Sequence, residues 1–364
     1  MENACSWKSP RYLVLRAAAV LGVLALMGCG THREHPATVI PPPHWRTVPL
    51  AESRAVAQEP RRVPDLDAMV QAATLEAVAE LGDGIVTPET IWATAIDCRD
   101  PRDPRIGSFR GTLPVYPASV IKLCYMVAAY DQNRTRGLPL DEATRGDLDR
   151  MIRVSSNAAT ARMVDRLSNT GFGPSLDETA MASFEHKRLT TYRLMQALGL
   201  DGLFAINKTY GTGVPLYGRE VDTLGARAGG NFERSNKMTT DDTARLLYLI
   251  WRHALVDHAA CEEMLDLMKR GEEYKTFFSA VVPEGVTLYS KGGSTDVQRH
   301  DAGIFAYPDG TAIIVVVFSN HQSRDGKYPR VIQRTAELLL ERIASTPAER
   351  DNATADPDPT IGLD

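Results

Sequence analysis

The sequence predicts an α+β fold in which helices flank one antiparallel five-stranded sheet and an all-helical subdomain is inserted between two groups of strands. Three observations predict it. Two strand patterns come early in the chain, and a long helical stretch follows from about Ala118 to His258. Three more strand patterns follow that stretch, and a helical pattern stands at each end. The sheet therefore draws its strands from both ends of the sequence.

Each element is predicted by the spacing of its apolar residues. Residues 65–83 have apolar side chains at helical spacing, and the pattern closes at Gly82. Residues 331–344 form the closing helix by the same criterion. A turn at residues 308–310 joins the last two strands. The predicted strands are 90–97, 105–111, 286–293, 301–308 and 311–320.

The N-terminus carries an export signal rather than part of the fold. Basic residues precede an apolar run at 17–28 that is short for a membrane span. A small residue followed by Cys29 resembles a lipobox. We therefore expect residues 1–29 to be a lipoprotein-type signal peptide and Cys29 to carry the lipid. A signal peptide cleaved without lipid, or an uncleaved anchor, would also export the chain.

The remaining segments outside the fold are recognisable by composition. Residues 30–63 are rich in proline and are expected to form a tether. Residues 346–364 are acidic and are expected to be a disordered tail. The folded domain is then 64–345. We expect a monomer in the bacterial cell envelope, on the periplasmic side and anchored to a membrane by its lipid.

Composition excludes some classes of function. The net charge is −5 and no basic stripe occurs, so nucleic-acid binding is not expected.

Three cysteines remain beyond the signal peptide, namely Cys98, Cys124 and Cys261. An odd number allows at most one disulfide within the mature chain, and the pairing stays open.

The sequence gives little support for a metal site or for a Ser-His-Asp triad. The chain has no H-E-x-x-H and no G-x-S-x-G motif. His253, His258 and Cys261 lie near a helix end, at spacing poor for one face. We expect no metal and no other cofactor.

The segment "YPASVIKLCYM" places Lys122 in an apolar run, three residues after Ser119. If Ser119 opens a helix, the two side chains share a face about 5–6 Å apart. Apolar surroundings lower the pKa of a lysine, so that Lys122 becomes a base for the serine proton. The alternative is a helix cap at Ser119 and a lysine that extends to water.

Two further motifs follow in the chain. Ser155 and Asn157 form an S-x-N motif before a helix, and "KGG" at 291–293 ends a strand. Ser-x-x-Lys, S-x-N and K-[TS]-G in this order are typical of penicillin-recognising serine enzymes. The chain resembles the class A β-lactamases and related penicillin-binding serine hydrolases over roughly 65–345, which implies the β-lactamase/transpeptidase-like fold.

The resemblance implies catalytic roles for four residues. Ser119 would be the acylated nucleophile, and Lys122 its base or proton relay. Ser155 would pass a proton to the leaving nitrogen. The backbone N–H groups of Ser119 and Ser294 would form the oxyanion hole.

It also implies how a substrate is held. Asn157 would hydrogen-bond the substrate amide, and Lys291 would attract the substrate carboxylate. Gly293 would let the strand approach the substrate closely. The alternatives are a loop with a helix cap around Ser155 and a hairpin turn at Lys291.

The third motif departs from the family pattern. Gly292 stands where the family has Thr or Ser, so a hydroxyl that helps to bind the carboxylate is missing. Ser294 or Thr295 could replace it. Arg299 could add positive charge there, or be a surface charge on the hairpin.

The glutamate that the family uses for deacylation is missing as well. It is expected near 208–210, where the chain has Lys-Thr-Tyr. Glu220 is the nearest downstream candidate for a general base, and Glu233 is another. Glu220 lacks the family's asparagine four residues on, since Leu224 stands there.

These observations lead to an expected function with two alternatives. The chain is expected to be an exported serine hydrolase that hydrolyses β-lactams through an acyl-enzyme. With slow deacylation it would instead be a D-alanyl-D-alanine peptidase or another penicillin-binding peptidoglycan enzyme. The third possibility is a non-catalytic binding lipoprotein of the envelope.

Overall fold

A six-stranded sheet with the order β1-β3-β2-β6-β5-β4 forms the centre of the described residues. Neighbouring strands are antiparallel, except that β1 runs parallel to β3. The strands are β1 Arg61–Arg62, β2 Ile91–Asp97, β3 Arg105–Phe109, β4 Thr287–Ser294, β5 Gln298–Ala306 and β6 Ala312–Asn320. The α+β class, the inserted helices and the five predicted strands are confirmed.

The computed structural model describes residues 58–211, 213–225, 233–271, 276–321 and 329–347. The expected signal peptide with Cys29, nearly all of the tether and most of the acidic tail lie outside these ranges. Within them, no helix is long and apolar enough to cross a membrane.

The sheet has one strand more than the five predicted. Arg61 and Arg62, which were assigned to the tether, form β1 beside β3. Both are exposed charged residues, so no alternation of apolar side chains marks them as a strand. Backbone bonds from Arg61 N to Pro104 O (2.8 Å) and from Val63 N to Ile106 O (3.0 Å) hold the pair.

The position of strand β6 inside the sheet explains why its sequence is almost continuously apolar. Every residue of β6 except the last is buried. Ile313 and Val315 pack on one face of the sheet, and Ile314 and Val316 pack on the other. Successive side chains of a strand point to opposite faces, so a central strand covered on both sides needs apolar residues throughout.

Helices cover both faces of the sheet. Helices α1 and α10 pack on one face with Phe278, and those inserted between β3 and β4 supply the core on the other. The described helices are α1 Pro64–Leu81, α2 Lys122–Arg136, α3 Glu142–Ile152, α4 Asn157–Ser168, α5 Glu178–Arg188, α6 Thr190–Ala197, α7 Arg219–Thr223, α8 Thr240–Trp251, α9 His258–Met268 and α10 Pro329–Ser345.

The three mature cysteines are buried and free. Cys98, Cys124 and Cys261 form no disulfide among the described residues. Burial raises the pKa of each thiol, to about 11 for Cys261. They act as small apolar residues of the core.

Candidate active site

Ser119 lies in a short 3₁₀ helix, Ala118–Ile121, that runs directly into α2 at Lys122. Ala118 has φ +47°, a left-handed conformation that is uncommon for a residue with a side chain. The Nζ of Lys122 is 3.0 Å from Ser119 Oγ. The predicted Ser-Lys pair is therefore in contact, on consecutive turns of helix.

Lys122 is fully buried, and four oxygens lie around its Nζ. Besides Ser119 Oγ, they are Ser155 O at 2.6 Å, Ser155 Oγ at 3.1 Å and Asn157 Oδ1 at 2.9 Å. None is a carboxylate, and burial lowers the pKa of Lys122 from 10.5 to about 7. A neutral amine has a lone pair, so it can accept the hydroxyl proton of Ser119.

The loop between α3 and α4 divides its polar side chains between structure and site. Ser156 caps α4, since its hydroxyl accepts from Ala159 N at 3.2 Å. Ser155, at φ +59°, and Asn157 instead face Lys122. Ser156 therefore has a structural role as a helix cap, whereas Ser155 and Asn157 belong to the site.

Lys291 reaches the same hydroxyl from the sheet. Its Nζ is 2.9 Å from Ser155 Oγ and 2.6 Å from Gly292 O. Lys291 is buried, which lowers its pKa well below 10.5, and the nearby charges of Lys122 and Arg270 lower it further. Ser155 Oγ thus lies within hydrogen-bond distance of both amino groups, and burial favours the neutral form of each lysine.

Gly293 is the point where β4 touches the segment that carries Ser119. A Cβ at this position would lie 2.8 Å from Pro117 O and 2.8 Å from Ser119 N. Any side chain would therefore push the strand away from Ser119. The "KGG" residues lie within β4 and not in a hairpin turn, and Ser294 follows as an exposed residue at the end of the strand.

His300 on β5 holds the other side of this segment, a role that no sequence motif marks. Its Nδ1 accepts from Ser319 N (3.1 Å), so its Nε2 carries the hydrogen and donates to Tyr116 O (3.0 Å). Burial lowers the pKa of His300 to about 4, so the ring is neutral at pH 7. The chain three residues before Ser119 is thereby tied to the sheet.

A cavity with a volume of about 180 Å³ opens beside Ser119. Arg270 and Phe277, which the sequence did not single out, line it together with Ser155 and Lys291. The guanidinium of Arg270 donates to Ser290 O (2.5 and 3.1 Å) on β4 and to main-chain oxygens at the end of α3. It joins the sheet half of the site to the helical half and adds positive charge.

Ser294 and Thr295, considered as substitutes for the missing hydroxyl, and Arg299, considered as a source of positive charge, differ in their contacts. Thr295 Oγ1 accepts from Val297 N (3.2 Å) and Gln298 N (3.1 Å), so it serves the turn between β4 and β5. Arg299 donates to main-chain oxygens of that same turn, including Gln298 O at 2.7 Å. Ser294 is the exposed residue at the end of β4.

Residues 208–210, where the glutamate was expected, do reach the site. Thr209 Oγ1 donates to Asn157 Oδ1 at 2.9 Å, and Tyr210 O is 3.4 Å from Asn157 Nδ2. The segment therefore brings a hydroxyl and a carbonyl oxygen to Asn157, where the family has a carboxylate. Nothing in the sequence marks Thr209 except its place in this segment.

Glu220 lies in a separate, buried ionic cluster. Its Oε1 is 2.5 Å from Arg188 Nη2 and 3.0 Å from Lys208 Nζ. Its Oε2 accepts from Tyr210 OH at 2.8 Å, and Lys208 also pairs with Asp165 at 2.8 Å. The contacts described for its carboxylate thus join α7 to the end of α5 and to the segment 208–210, and its role as a general base stays a prediction. Glu233 is exposed.

The histidines near α9 form a surface cluster without Cys261. Cys261 is buried and donates to Leu255 O. His253, His258 and Glu262 have potential ligand atoms within 4.8 Å of one another. The two rings are stacked at 4.1 Å with an interplanar angle of 4°. His253 Nε2 lies 2.5 Å from Glu262 Oε1, so the contact described between these two side chains is a hydrogen bond.

Comparison with known proteins agrees with this geometry. The family model described as "Beta-lactamase enzyme family" matches residues 95–343, more than half of the chain. No curated protein matches the sequence.

Solved structures share the fold at low sequence identity. PBP-A is 16% identical with a TM-score of 0.55, and the match covers 80% of this chain and 100% of that one. A β-lactamase from Sphaerobacter thermophilus is 18% identical with a TM-score of 0.55, over 77% and 98% of the two chains. A PBP-A mutant solved as an acyl-enzyme complex with penicillin G is 17% identical, with a TM-score of 0.54 over 79% and 100%.

Proposed function

Because the chain belongs to the β-lactamase enzyme family, we propose that it is an exported serine hydrolase that forms an acyl-enzyme with β-lactams at Ser119 and hydrolyses it. One observation carries the proposal: Ser119 Oγ lies 3.0 Å from the Nζ of a buried lysine whose pKa is lowered to about 7. Nucleophile and base are then matched for proton transfer near neutral pH.

The acylation step follows from these contacts. Neutral Lys122 takes the proton of Ser119 as Oγ attacks the lactam carbonyl. The backbone N–H groups of Ser119 and Ser294 stabilise the oxyanion. Ser155 then donates its proton to the leaving nitrogen and is reprotonated by Lys122. The C–N bond breaks, and the acyl group stays on Ser119.

Substrate binding uses the residues around this pair. The guanidinium of Arg270 lines the cavity and attracts the carboxylate that β-lactams carry, and that carboxylate favours the protonated form of Lys291 beside it. Asn157 offers its amide to the acyl side chain. Strand β4 ends the sheet, so the stretch 291–294 can pair with an extended acyl-amide substrate.

A second candidate function follows from the segment that contacts Asn157. Thr209 brings a neutral hydroxyl there, and the described contacts of Glu220 are with Arg188, Lys208 and Tyr210. Without a carboxylate to activate water, the acyl-enzyme would persist. That behaviour suits a D-alanyl-D-alanine peptidase or another penicillin-binding peptidoglycan enzyme.

The mass of the intact protein, followed over time with benzylpenicillin, tests the proposal. We expect the mass to rise by one penicillin molecule and then to return as the drug is consumed. A mass that stays raised favours the second candidate. Ser119→Ala should never gain mass. An unchanged mass for folded wild-type protein, with the benzylpenicillin left intact, would contradict both candidates and favour the non-catalytic binding lipoprotein.

We also propose that the chain is exported and anchored to a bacterial membrane through lipid on Cys29. The support is the basic and apolar pattern of residues 1–29 and the proline-rich segment that follows. Cells fed a radioactive fatty acid should label the wild-type protein and not Cys29→Ser. The variant should leave the membrane fraction. Labelling that persists in Cys29→Ser contradicts the proposal.

A further inference from the structure

Gly292 and Phe277 fit against each other at the β4 wall of the cavity. A Cβ built on Gly292 would lie 3.3 Å from Cδ2 and 3.5 Å from Cε2 of the phenyl ring. Even a methyl group would therefore need the ring to shift, and a serine or threonine side chain would need more room. The absence of a side chain at Gly292 and the position of the Phe277 ring therefore depend on each other.

The backbone holds the ring in this place. Phe277 has φ +53°, which is an outlier for a bulky side chain. Its carbonyl accepts from Gln333 Nε2 at 3.0 Å, and the next N–H, of Phe278, donates to Asp301 Oδ2 at 3.0 Å. Phe278 is fully buried against Phe305. A strained conformation fixed by its neighbours is often found at functional sites.

Phe277 also shares a cavity with the reacting groups. Phe277 lines the same cavity as Ser119, Lys291 and Arg270. A substrate carboxylate attracted by the guanidinium of Arg270 would bring its neighbouring substituent against the phenyl ring. An apolar substituent that packs against this ring buries apolar surface, whereas a polar substituent finds no strong hydrogen-bonding partner on it.

We propose that Phe277 is a specificity-determining residue. It selects β-lactams and related acyl-amides that carry an apolar substituent next to the carboxylate on the leaving-amine side. This inference rests on the proposed function, since it concerns substrates of the same site. The ring takes the space of the family's hydroxyl and exchanges a polar contact for an apolar one.

Two penicillins that differ only in their ring methyls test the selection. Benzylpenicillin carries two methyls beside the carboxylate, and its bisnor analogue lacks them. We expect wild-type protein to be acylated about tenfold faster by the methylated compound. In Phe277→Ala that ratio should fall close to one, whereas Phe277→Leu should keep most of it. An unchanged ratio in a folded Phe277→Ala variant would overturn the proposal.

A double-mutant cycle measured by thermal unfolding tests the contact between Gly292 and Phe277 without depending on activity. Gly292→Ala should lower the Tm in the wild-type background and have little effect when Phe277→Ala is also present. Equal shifts in both backgrounds would refute the fit between the two residues. Absence of any acylation of wild-type protein would instead refute the proposed function, with the Tm cycle still deciding the packing.

Discussion

At the scale of single residues, the chemistry depends on what surrounds each lysine. Lys122 and Lys291 are both buried, and Ser155 Oγ lies within 3.1 Å of both amino groups. The described partners of Lys122 are uncharged oxygens, so burial is not offset by a countercharge, and its pKa is lowered to about 7. The apolar run around Lys122 therefore favours its neutral form, which the proposed role as a base requires.

The pKa of Lys122 sets the pH dependence of acylation. Acylation needs the neutral amine, so the second-order rate constant with benzylpenicillin should fall as pH drops below about 7. The slope should approach tenfold per pH unit, with a plateau above it. Stopped-flow measurements from pH 5 to 9 check this.

An arginine at position 122 provides the control. Lys122→Arg places at this position a basic side chain that cannot deprotonate, so acylation on the plateau above pH 7 should fall about 10²–10⁴-fold. A flat profile for the wild-type protein across this range would contradict the role of Lys122 as base.

At the scale of elements, the site depends on β4 lying against the 3₁₀ helix of Ser119. Gly293 permits that contact, and His300 ties the preceding residues to the sheet at Tyr116 O. The two groups proposed for the oxyanion hole come from these two elements. Their spacing is therefore decided by packing between elements and not within either one.

Gly293→Ala should separate the two elements. The added Cβ meets Pro117 O and Ser119 N at 2.8 Å, so the strand must move. We expect acylation to fall about 100-fold and the free energy of unfolding to drop by about 1–3 kcal/mol. Gly171→Ala is the matched control, since no atom lies within 4 Å of its added Cβ. Equal acylation by both variants would exclude this role for Gly293.

At the scale of the whole molecule, the buried ionic cluster joins segments that are far apart in the chain. Asp165 on α4, Arg188 on α5, the segment at Lys208 and Glu220 on α7 meet there. Two acids balance two bases, so the cluster is nearly neutral. Removing one member leaves charges buried without a partner, which is costly for the fold.

Glu220→Gln distinguishes a structural glutamate from a general base. We expect the free energy of unfolding to fall by about 3 kcal/mol, with the acylation rate near that of wild type. Glu233→Gln, at an exposed position, should change stability by less than about 0.5 kcal/mol. Chemical denaturation and penicillin labelling measure the two effects. Loss of turnover without loss of stability would identify Glu220 as the base.

Most of the fold was predictable because apolar spacing reports burial. The five long strands, and helices α1 and α10 that pack together on one face of the sheet, follow directly from their patterns. Strand β1 was missed because Arg61 and Arg62 are exposed and pair through their backbone alone. Local sequence carries no signal for such a strand.

The site was predictable where short motifs carry the chemistry. Ser119, Lys122, Ser155, Asn157 and Lys291 were named from their spacing, and the structure brings their polar atoms into contact. Other contributions come from residues without a motif, such as the hydroxyl of Thr209 and the ring of Phe277. Their effect depends on which neighbours the fold gives them.

The sequence by itself determined the fold class and the motif residues proposed for acylation, because hydrophobic periodicity and motif spacing are local properties of the chain. Only the tertiary structure decided that Gly292 pairs with Phe277 and that Glu220 contacts Arg188 and Lys208. Both are contacts between segments distant in sequence. Their geometry follows from the packing of whole elements, which no local pattern records.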